Sequence, residues 1–97
     1  MALAPEPYLS ACLDVLYRAT IHARLIAYDG HYAGLTAERS DCLADMMDTV
    51  HEIPRLLQRW EECNEPLLRG MLADFDAKWS GHAGVSLLTA YLQIVEA

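Results

Sequence analysis

The sequence predicts an all-α fold, a compact antiparallel bundle of four or five helices. Apolar residues recur at three- and four-residue steps through most of the chain, and no strand-like alternation persists. Short segments that contain glycine or proline separate these periodic stretches, and such short connections place consecutive helices side by side in opposite directions. With 97 residues, we expect one domain spanning 1–97, whose residues 1–6 form a short leader.

The first predicted helix, from Pro7 to Tyr28, carries more apolar surface than one neighbouring helix can cover. A helix that packs against a single neighbour needs one apolar stripe, and this helix has two, separated by Asp14, Arg18 and His22. The first stripe contains Leu9, Cys12, Leu13, Leu16, Ala19, Ala23 and Ile26. The second stripe contains Tyr17, Ile21, Leu25 and Tyr28, which surround Arg24.

The second stripe of this helix predicts a protein interface. Aromatic residues together with arginine are enriched at the centres of interfaces. The predicted interface consists of Tyr17, Ile21, Arg24, Leu25 and Tyr28, and we expect it to pair symmetrically with itself in a homodimer. The alternative is that this helix lies centrally in the monomer, with other helices covering both stripes. The sequence leaves these two alternatives open.

The second predicted helix begins at the N-cap residue Thr36 and contains Pro54. Proline inside a helix removes one backbone hydrogen bond and clashes with the preceding turn, at a cost of roughly 3 kcal/mol. The apolar pattern nevertheless continues across it. We therefore expect one kinked helix over 36–62 or two helices that meet near Glu52.

Five carboxylates follow this helix on the side opposite its apolar residues. They are Glu38, Asp41, Asp45, Asp48 and Glu52. They are either a docking strip for a basic partner, as in an acidic inhibitor or immunity-type protein, or the solvated back of an amphipathic helix. The solvated back is favoured, because like charges one turn apart cost only a few tenths of a kcal/mol and demand no functional explanation.

Two further helices complete the predicted bundle. Asn64 is the expected N-cap of the third helix, and Gly70 within it is expected to allow close approach of another helix. The buried side of the third helix is predicted to hold Leu67, Leu68, Met71, Leu72, Phe75 and Trp79. Loops are predicted at 29–34 and 80–84, and a short fourth helix at 85–95.

Catalytic and metal-binding patterns are weak throughout the sequence. Asp48 and His51 form half of a carboxylate–histidine motif that di-metal bundles need twice. His31 and His82 lie in the two predicted loops and form a site only if those loops meet, whereas exposed loop histidines are the simpler interpretation. No serine or cysteine lies in a nucleophile motif such as G-x-S-x-G. We expect no catalytic residues, no metal and no cofactor, and a small ligand- or metal-binding protein is the least favoured class.

The charge of the chain limits the kinds of partner that we expect, and its cysteines indicate the compartment. Seven basic against fourteen acidic residues give a net charge of −7 and no basic stripe, which argues against nucleic-acid and anionic-membrane partners. No apolar run is long enough to span a membrane. Three cysteines without a C-x-x-C motif and the lack of a secretory signal favour reduced thiols in the cytoplasm. The expected function is that of a non-enzymatic protein-interaction or regulatory bundle.

Overall fold

A computed structural model describes residues 4–34 and 36–97, with side chains throughout this part except for 29–33 and 80–83. It contains α1 (Glu6–Ala33), α2 (Ala37–Gln58), α3 (Asn64–Ala83) and α4 (Leu87–Val95). Each helix packs against the next one along the chain, and α4 packs against α1, so the four helices close into a ring around one core. This arrangement confirms the predicted all-α bundle, with four helices in the described residues.

Contacts between helix ends show that consecutive helices run antiparallel. Tyr8 near the start of α1 stacks on Trp60 just after α2, with ring centroids 5.0 Å apart. Asp45 in the first half of α2 contacts Trp79 near the end of α3. Arg69 near the start of α3 pairs with Glu96 at the end of α4. The predicted antiparallel topology follows directly from these contacts.

The core is built from one apolar face of each helix. The buried apolar residues are Ala4, Ala11, Cys12, Val15, Ala19, Ile26, Cys42, Met46, Ile53, Leu57, Leu68, Leu72, Phe75, Trp79, Leu87, Ala90 and Tyr91. The first stripe that the sequence shows on α1 contributes to the core only in part. Leu13 is 62% exposed, and Ala11 and Val15 are fully buried instead. The core face of α1 therefore includes Ala11 and Val15, and Leu13 lies outside it.

Two helices continue through segments that the sequence predicted as loops. Both α1 and α3 extend into 29–34 and 80–84, so those loop boundaries are wrong. Gly34 and Gly84 are the described residues with positive φ, at 83° and 71°. A left-handed glycine ends a helix, because it lets the chain turn without a Cβ clash. In each segment the last glycine takes this role, and the earlier ones, Gly30 and Gly81, remain helical.

The start of α2 and its proline behave largely as the sequence predicts. Thr36 is the N-cap, and its Oγ1 accepts a hydrogen bond from the backbone N–H of Arg39 at 3.1 Å. The helix is continuous through Pro54, which agrees with a single helix rather than two that meet near Glu52. It ends at Gln58 and not at 62, because the chain turns there towards α3.

Asn64 caps the end of α2 and not the start of α3, so its predicted role is wrong. Cys63 is the residue before α3, and its side chain makes no capping bond to that helix. The buried Asn64 amide donates through Nδ2 to the backbone carbonyl oxygens of Leu56, at 3.2 Å, and Arg59, at 2.7 Å. Carbonyls at a helix end lack partners within the helix, and the Asn64 amide supplies them here.

The N-terminus of α4 is held by a carboxylate from α3. The Asp76 carboxylate accepts hydrogen bonds from the backbone N–H groups of Leu87, at 2.9 Å, and Leu88, at 3.1 Å. It also accepts one from the Ser86 hydroxyl at 2.5 Å. The Ser86 Oγ in turn accepts from the Thr89 N–H at 3.0 Å, as an N-cap residue does. This cluster fixes α4 against α3.

The far end of α4 is held by a second polar cluster around Tyr91, a fully buried side chain. The Tyr91 hydroxyl donates to Glu65 Oε1 at 2.9 Å, and Arg69 forms an ion pair with the same carboxylate. Arg69 also reaches Glu96 at 3.1 Å. Burial, followed by the hydrogen bond to Glu65, raises the pKa of the Tyr91 phenol, so the hydroxyl stays protonated and donates.

The four helices differ greatly in length, and this leaves part of α1 uncovered by α4. A Cβ added to Gly84, in the α3–α4 connection, would lie 3.8 Å from His22 Nδ1. Because α4 runs back from this point for only 9 residues, it covers the first half of the 28-residue α1. Beyond His22, α1 lies against α2, where Ala23 and Ala27 share a groove with Leu43 and Met47.

Candidate functional site

The predicted interface residues of α1 lie on the surface of the monomer. Exposure is 67% for Tyr17, 38% for Ile21, 53% for Leu25 and 61% for Tyr28. Leu13, which the sequence assigned to the other stripe, joins them on the outer side of the helix. We call Leu13, Tyr17, Ile21, Leu25 and Tyr28 the α1 stripe. It faces away from the core, and no helix of the described chain buries it.

The α1 stripe has a regular geometry along the helix. Leu13, Tyr17, Ile21 and Leu25 follow one another at four-residue steps, and such rows form the ridges by which helices pack together. Arg24 is exposed at its margin, and Asp14 pairs with Arg18 at 2.7 Å on the other side. An exposed ion pair of this kind contributes less than about 1 kcal/mol. The stripe is therefore an apolar ridge with charged residues at its edges.

An apolar groove of about 390 Å³ between α1 and α2 borders the stripe. It is lined by Ala19, Thr20, Ala23, Arg24, Ala27, Leu43, Met47 and Val50. The α1 side of the groove carries mainly small side chains, so large side chains of a partner can enter it. Thr20 and Arg24 line this groove and are neighbours of Ile21 and Leu25 in the sequence, so the groove and the stripe are adjacent surfaces.

Two members of the predicted acidic strip, Asp45 and Asp48, lie on the edge of α2 that faces α3. Asp45 Oδ2 accepts a hydrogen bond from Trp79 Nε1 at 2.6 Å and lies 3.0 Å from Lys78 Nζ. These interactions, that with Trp79 first, hold the pKa of Asp45 below its usual value. The strip members other than Asp45 are exposed: Glu38, Asp41, Asp48 and Glu52.

A second groove, of about 560 Å³, runs between α2 and α3, and the sequence did not predict it. We call it the α2–α3 groove. Its mainly apolar residues are Thr49, Pro66, Leu67, Gly70, Met71, Phe75 and Trp79, and its charged residues are Asp45, Asp48, Asp74 and Lys78. Leu67 was predicted to be buried but is 58% exposed at this groove. Leu67 and Leu68 are adjacent apolar residues on α3, and adjacent residues of a helix do not share one face. This was the sequence signal for the groove.

Gly70 does not serve the close helix contact that the sequence predicted. No atom outside its immediate surroundings lies within 4 Å of the position that a Cβ would take. Glycine inside a helix costs about 1 kcal/mol relative to alanine. The packing of the monomer therefore gives no reason for this glycine, and its open space belongs to the α2–α3 groove.

Replacing Gly70 with alanine is expected to raise the free energy of unfolding by up to about 1 kcal/mol, because alanine has the higher helix propensity and meets no steric obstacle. Urea denaturation followed by circular dichroism measures the change. The matched control is Ala77→Gly on an exposed position of the same helix, which should lower stability by a similar amount. A destabilised Gly70→Ala protein would show that the monomer itself needs this glycine.

The three cysteines are free thiols, as the sequence predicts. Cys12 and Cys42 are buried, and Cys63 is exposed. Burial raises the pKa of Cys12 to about 12, and burial followed by the charges of Asp45 and Glu38 raises the pKa of Cys42. Both buried thiols are therefore protonated at neutral pH and serve as small apolar side chains in the core.

The histidines whose side chains the structure describes, His22 and His51, belong to no metal site. Within the described residues, no group of three or more histidine, cysteine or acidic side chains is arranged to hold a metal ion. The side chains of His31 and His82 lie outside the described part, and their backbones are helical rather than in loops. Because α3 ends beside His22, His31 lies roughly 13 Å further along α1 than the end of α3. The two predicted loops are thus at different levels of the bundle.

Comparisons with protein families, with curated proteins and with solved structures find no match to this chain. In the described part of the chain, no helix combines the length and hydropathy needed to cross a lipid bilayer. The candidate functional surfaces are therefore defined by geometry alone. They are the α1 stripe with its neighbouring groove, and the α2–α3 groove.

Proposed function

We propose that this protein is a non-enzymatic interaction module that assembles as a homodimer through the α1 stripe. The observation that carries the proposal is the exposure of five large apolar side chains in one continuous row on the longest helix. Contiguous apolar patches of several hundred Å² are often functional and serve as interaction sites. A second copy of the chain is the occupant to which the proposal commits.

The area of the stripe supports this proposal. A fully buried aromatic side chain removes about 150–250 Å² from water, and the stripe contains two tyrosines and three aliphatic residues. At their observed exposures the five residues offer roughly 400–700 Å² if each is given that full area. The groove beside the stripe adds further surface. The total approaches the roughly 800 Å² that each partner contributes to a standard interface.

The spacing of the stripe also suits self-association. Ridges formed by residues four apart interdigitate when two helices cross at about −50°. A two-fold axis near the middle of the ridge, between Tyr17 and Ile21, places each ridge against the other and buries the same residues on both copies. A closed two-fold dimer uses one self-complementary patch per subunit, which is what a single apolar stripe supplies. Arg18 and Arg24 remain at the margins of such an interface, where they keep contact with water.

The replacement of Ile21 with glutamate tests the proposed dimer. We expect the wild-type protein to sediment with the mass of two chains, each of 10.8 kDa, at micromolar concentration. The Ile21→Glu protein should sediment as one chain, because two carboxylates buried at the centre of the interface lose their hydration. Circular dichroism should remain unchanged, since Ile21 is exposed in the monomer.

The matched control for this test is Ala44→Glu. It adds the same charge at an exposed position of α2 and should leave the mass at two chains. A wild-type mass of one chain from low micromolar to near-millimolar concentration would contradict the proposed dimer. So would a dimer that survives Ile21→Glu unchanged.

A further inference from the structure

We propose that the α2–α3 groove binds a cationic amphipathic helix of another protein. This surface is separate from the α1 stripe, so the inference does not depend on the proposed dimer. Amphipathic helical ligands lay their apolar face into a hydrophobic groove, and charges on the two partners are complementary. The α2–α3 groove is lined by apolar and by charged residues.

The apolar part of the groove matches the size of a short helix. Along α3 it extends from Pro66 to Trp79, a distance of about 20 Å at the rise of an α-helix. Leu67 is mostly exposed there, and Met71 is partly exposed. A ligand helix of three to four turns would cover both side chains and bury them against its own apolar face.

Gly70 gives the groove its depth. The position that its Cβ would take is open, so the backbone of α3 is accessible between Leu67 and Met71. A ligand helix can therefore approach α3 more closely here than it can at any position with a side chain. The monomer gains nothing from this glycine, whereas a bound helix would use the space directly.

The charges along the groove select a cationic ligand. Asp45 and Asp48 lie on the α2 side, and Asp74 lies on the α3 side. Lys78 is the one basic residue among those that line the groove, and Asp45 already neutralises it at 3.0 Å. The net charge of −7 adds long-range attraction for a basic partner and repulsion for an acidic one. A helix with lysine or arginine on both sides of an apolar stripe matches this pattern.

A fluorescein-labelled helical peptide of about 14 leucine and lysine residues, long enough to cover the groove, is the probe for this proposal. Its matched control is the same peptide with glutamate in place of lysine. Fluorescence anisotropy should show binding of the lysine peptide and none of the glutamate peptide. Binding of the lysine peptide should weaken as salt is added, because exposed charge pairs are screened.

Variants of the groove locate the binding site. Gly70→Met fills the open space with a good helix former and should weaken peptide binding at least about tenfold. Gly70→Ala adds only a methyl group to the same space and should weaken binding less than Gly70→Met does. The double variant Asp48→Asn with Asp74→Asn should weaken binding about fivefold and reduce its salt dependence, which tests the charges without filling the groove.

Three outcomes would overturn the proposal. Unchanged peptide binding by both Gly70→Met and the double variant would place the peptide elsewhere. If Ile21→Glu loses peptide binding while the groove variants keep it, the peptide binds at the α1 stripe. If the wild type binds no peptide but associates with itself, and Gly70→Met abolishes that self-association, the groove belongs to a second copy of the chain. Retention of peptide binding by Ile21→Glu separates this proposal from that of the dimer.

Discussion

Replacing Tyr91 with alanine is expected to lower the free energy of unfolding by about 3–5 kcal/mol, the range for aromatic residues in a core. Tyr91 is fully buried in α4, where its ring contributes to the core and its hydroxyl bonds to Glu65. The substitution leaves a cavity and also removes the hydrogen bond. A domain of this size has only about 5–15 kcal/mol of stability in total, so the loss would leave it close to unfolding.

The variant Tyr91→Phe separates the ring from the hydroxyl. It keeps the buried ring and removes one hydrogen bond to a carboxylate that still pairs with Arg69. We expect a loss of about 1–2 kcal/mol. Gln93→Ala, at an exposed position of the same helix, is the control and should change stability by less than about 0.5 kcal/mol. Urea denaturation measures all three. Equal losses for Tyr91→Phe and Tyr91→Ala would show that the ring contributes little.

Replacing Asp76 with alanine is expected to lower the free energy of unfolding by about 2–3 kcal/mol, in the range for hydrogen bonds to charged groups. The carboxylate accepts bonds from two backbone N–H groups and from the Ser86 hydroxyl. It also lies at the positive end of the α4 dipole, where an anion is favoured. Without it, the first turn of α4 loses its connection to α3.

The matched control for Asp76 lies two residues earlier in the chain. Asp74 is exposed on the same helix, and Asp74→Ala should change the free energy of unfolding by no more than about 0.5 kcal/mol. The conservative variant Asp76→Asn keeps an acceptor oxygen but loses the charge. We therefore expect its free energy of unfolding to lie between those of the wild type and Asp76→Ala. Thermal and urea denaturation report the differences. Similar values for Asp74→Ala and Asp76→Ala would contradict the proposed role of Asp76.

The helices and their order could be predicted from the sequence because they depend on local periodicity. The ends of the helices were less predictable. The segments 29–34 and 80–84 each contain two glycines, and either glycine can end a helix. The local sequence alone does not distinguish the two. Gly34 and Gly84 take the left-handed conformation, and the earlier glycines stay within the helices.

The two candidate surfaces could be predicted from the sequence to different degrees. Most residues of the α1 stripe could be predicted from the sequence. Their exposure could not, because contacts with α2 and α4 determine which side of α1 faces outward. Leu13, which the sequence places in the first stripe, lies outside the core. Asp45 of the acidic strip accepts a hydrogen bond from Trp79, which is 34 positions away in the sequence. Nothing in the local pattern around Asp45 indicates that bond.

The short α4 has a consequence for how the bundle opens. Amide hydrogens exchange most slowly where several elements pack together and fastest where few contacts must break. The end of the bundle that holds Tyr91 has all four helices, whereas α1 beyond His22 is covered mainly by α2. Transient opening should therefore begin at the end where α1 connects to α2. The residues from Tyr17 to Tyr28 extend across both regions, so pairing of two copies there would also slow exchange at the less protected end and couple assembly to local stability.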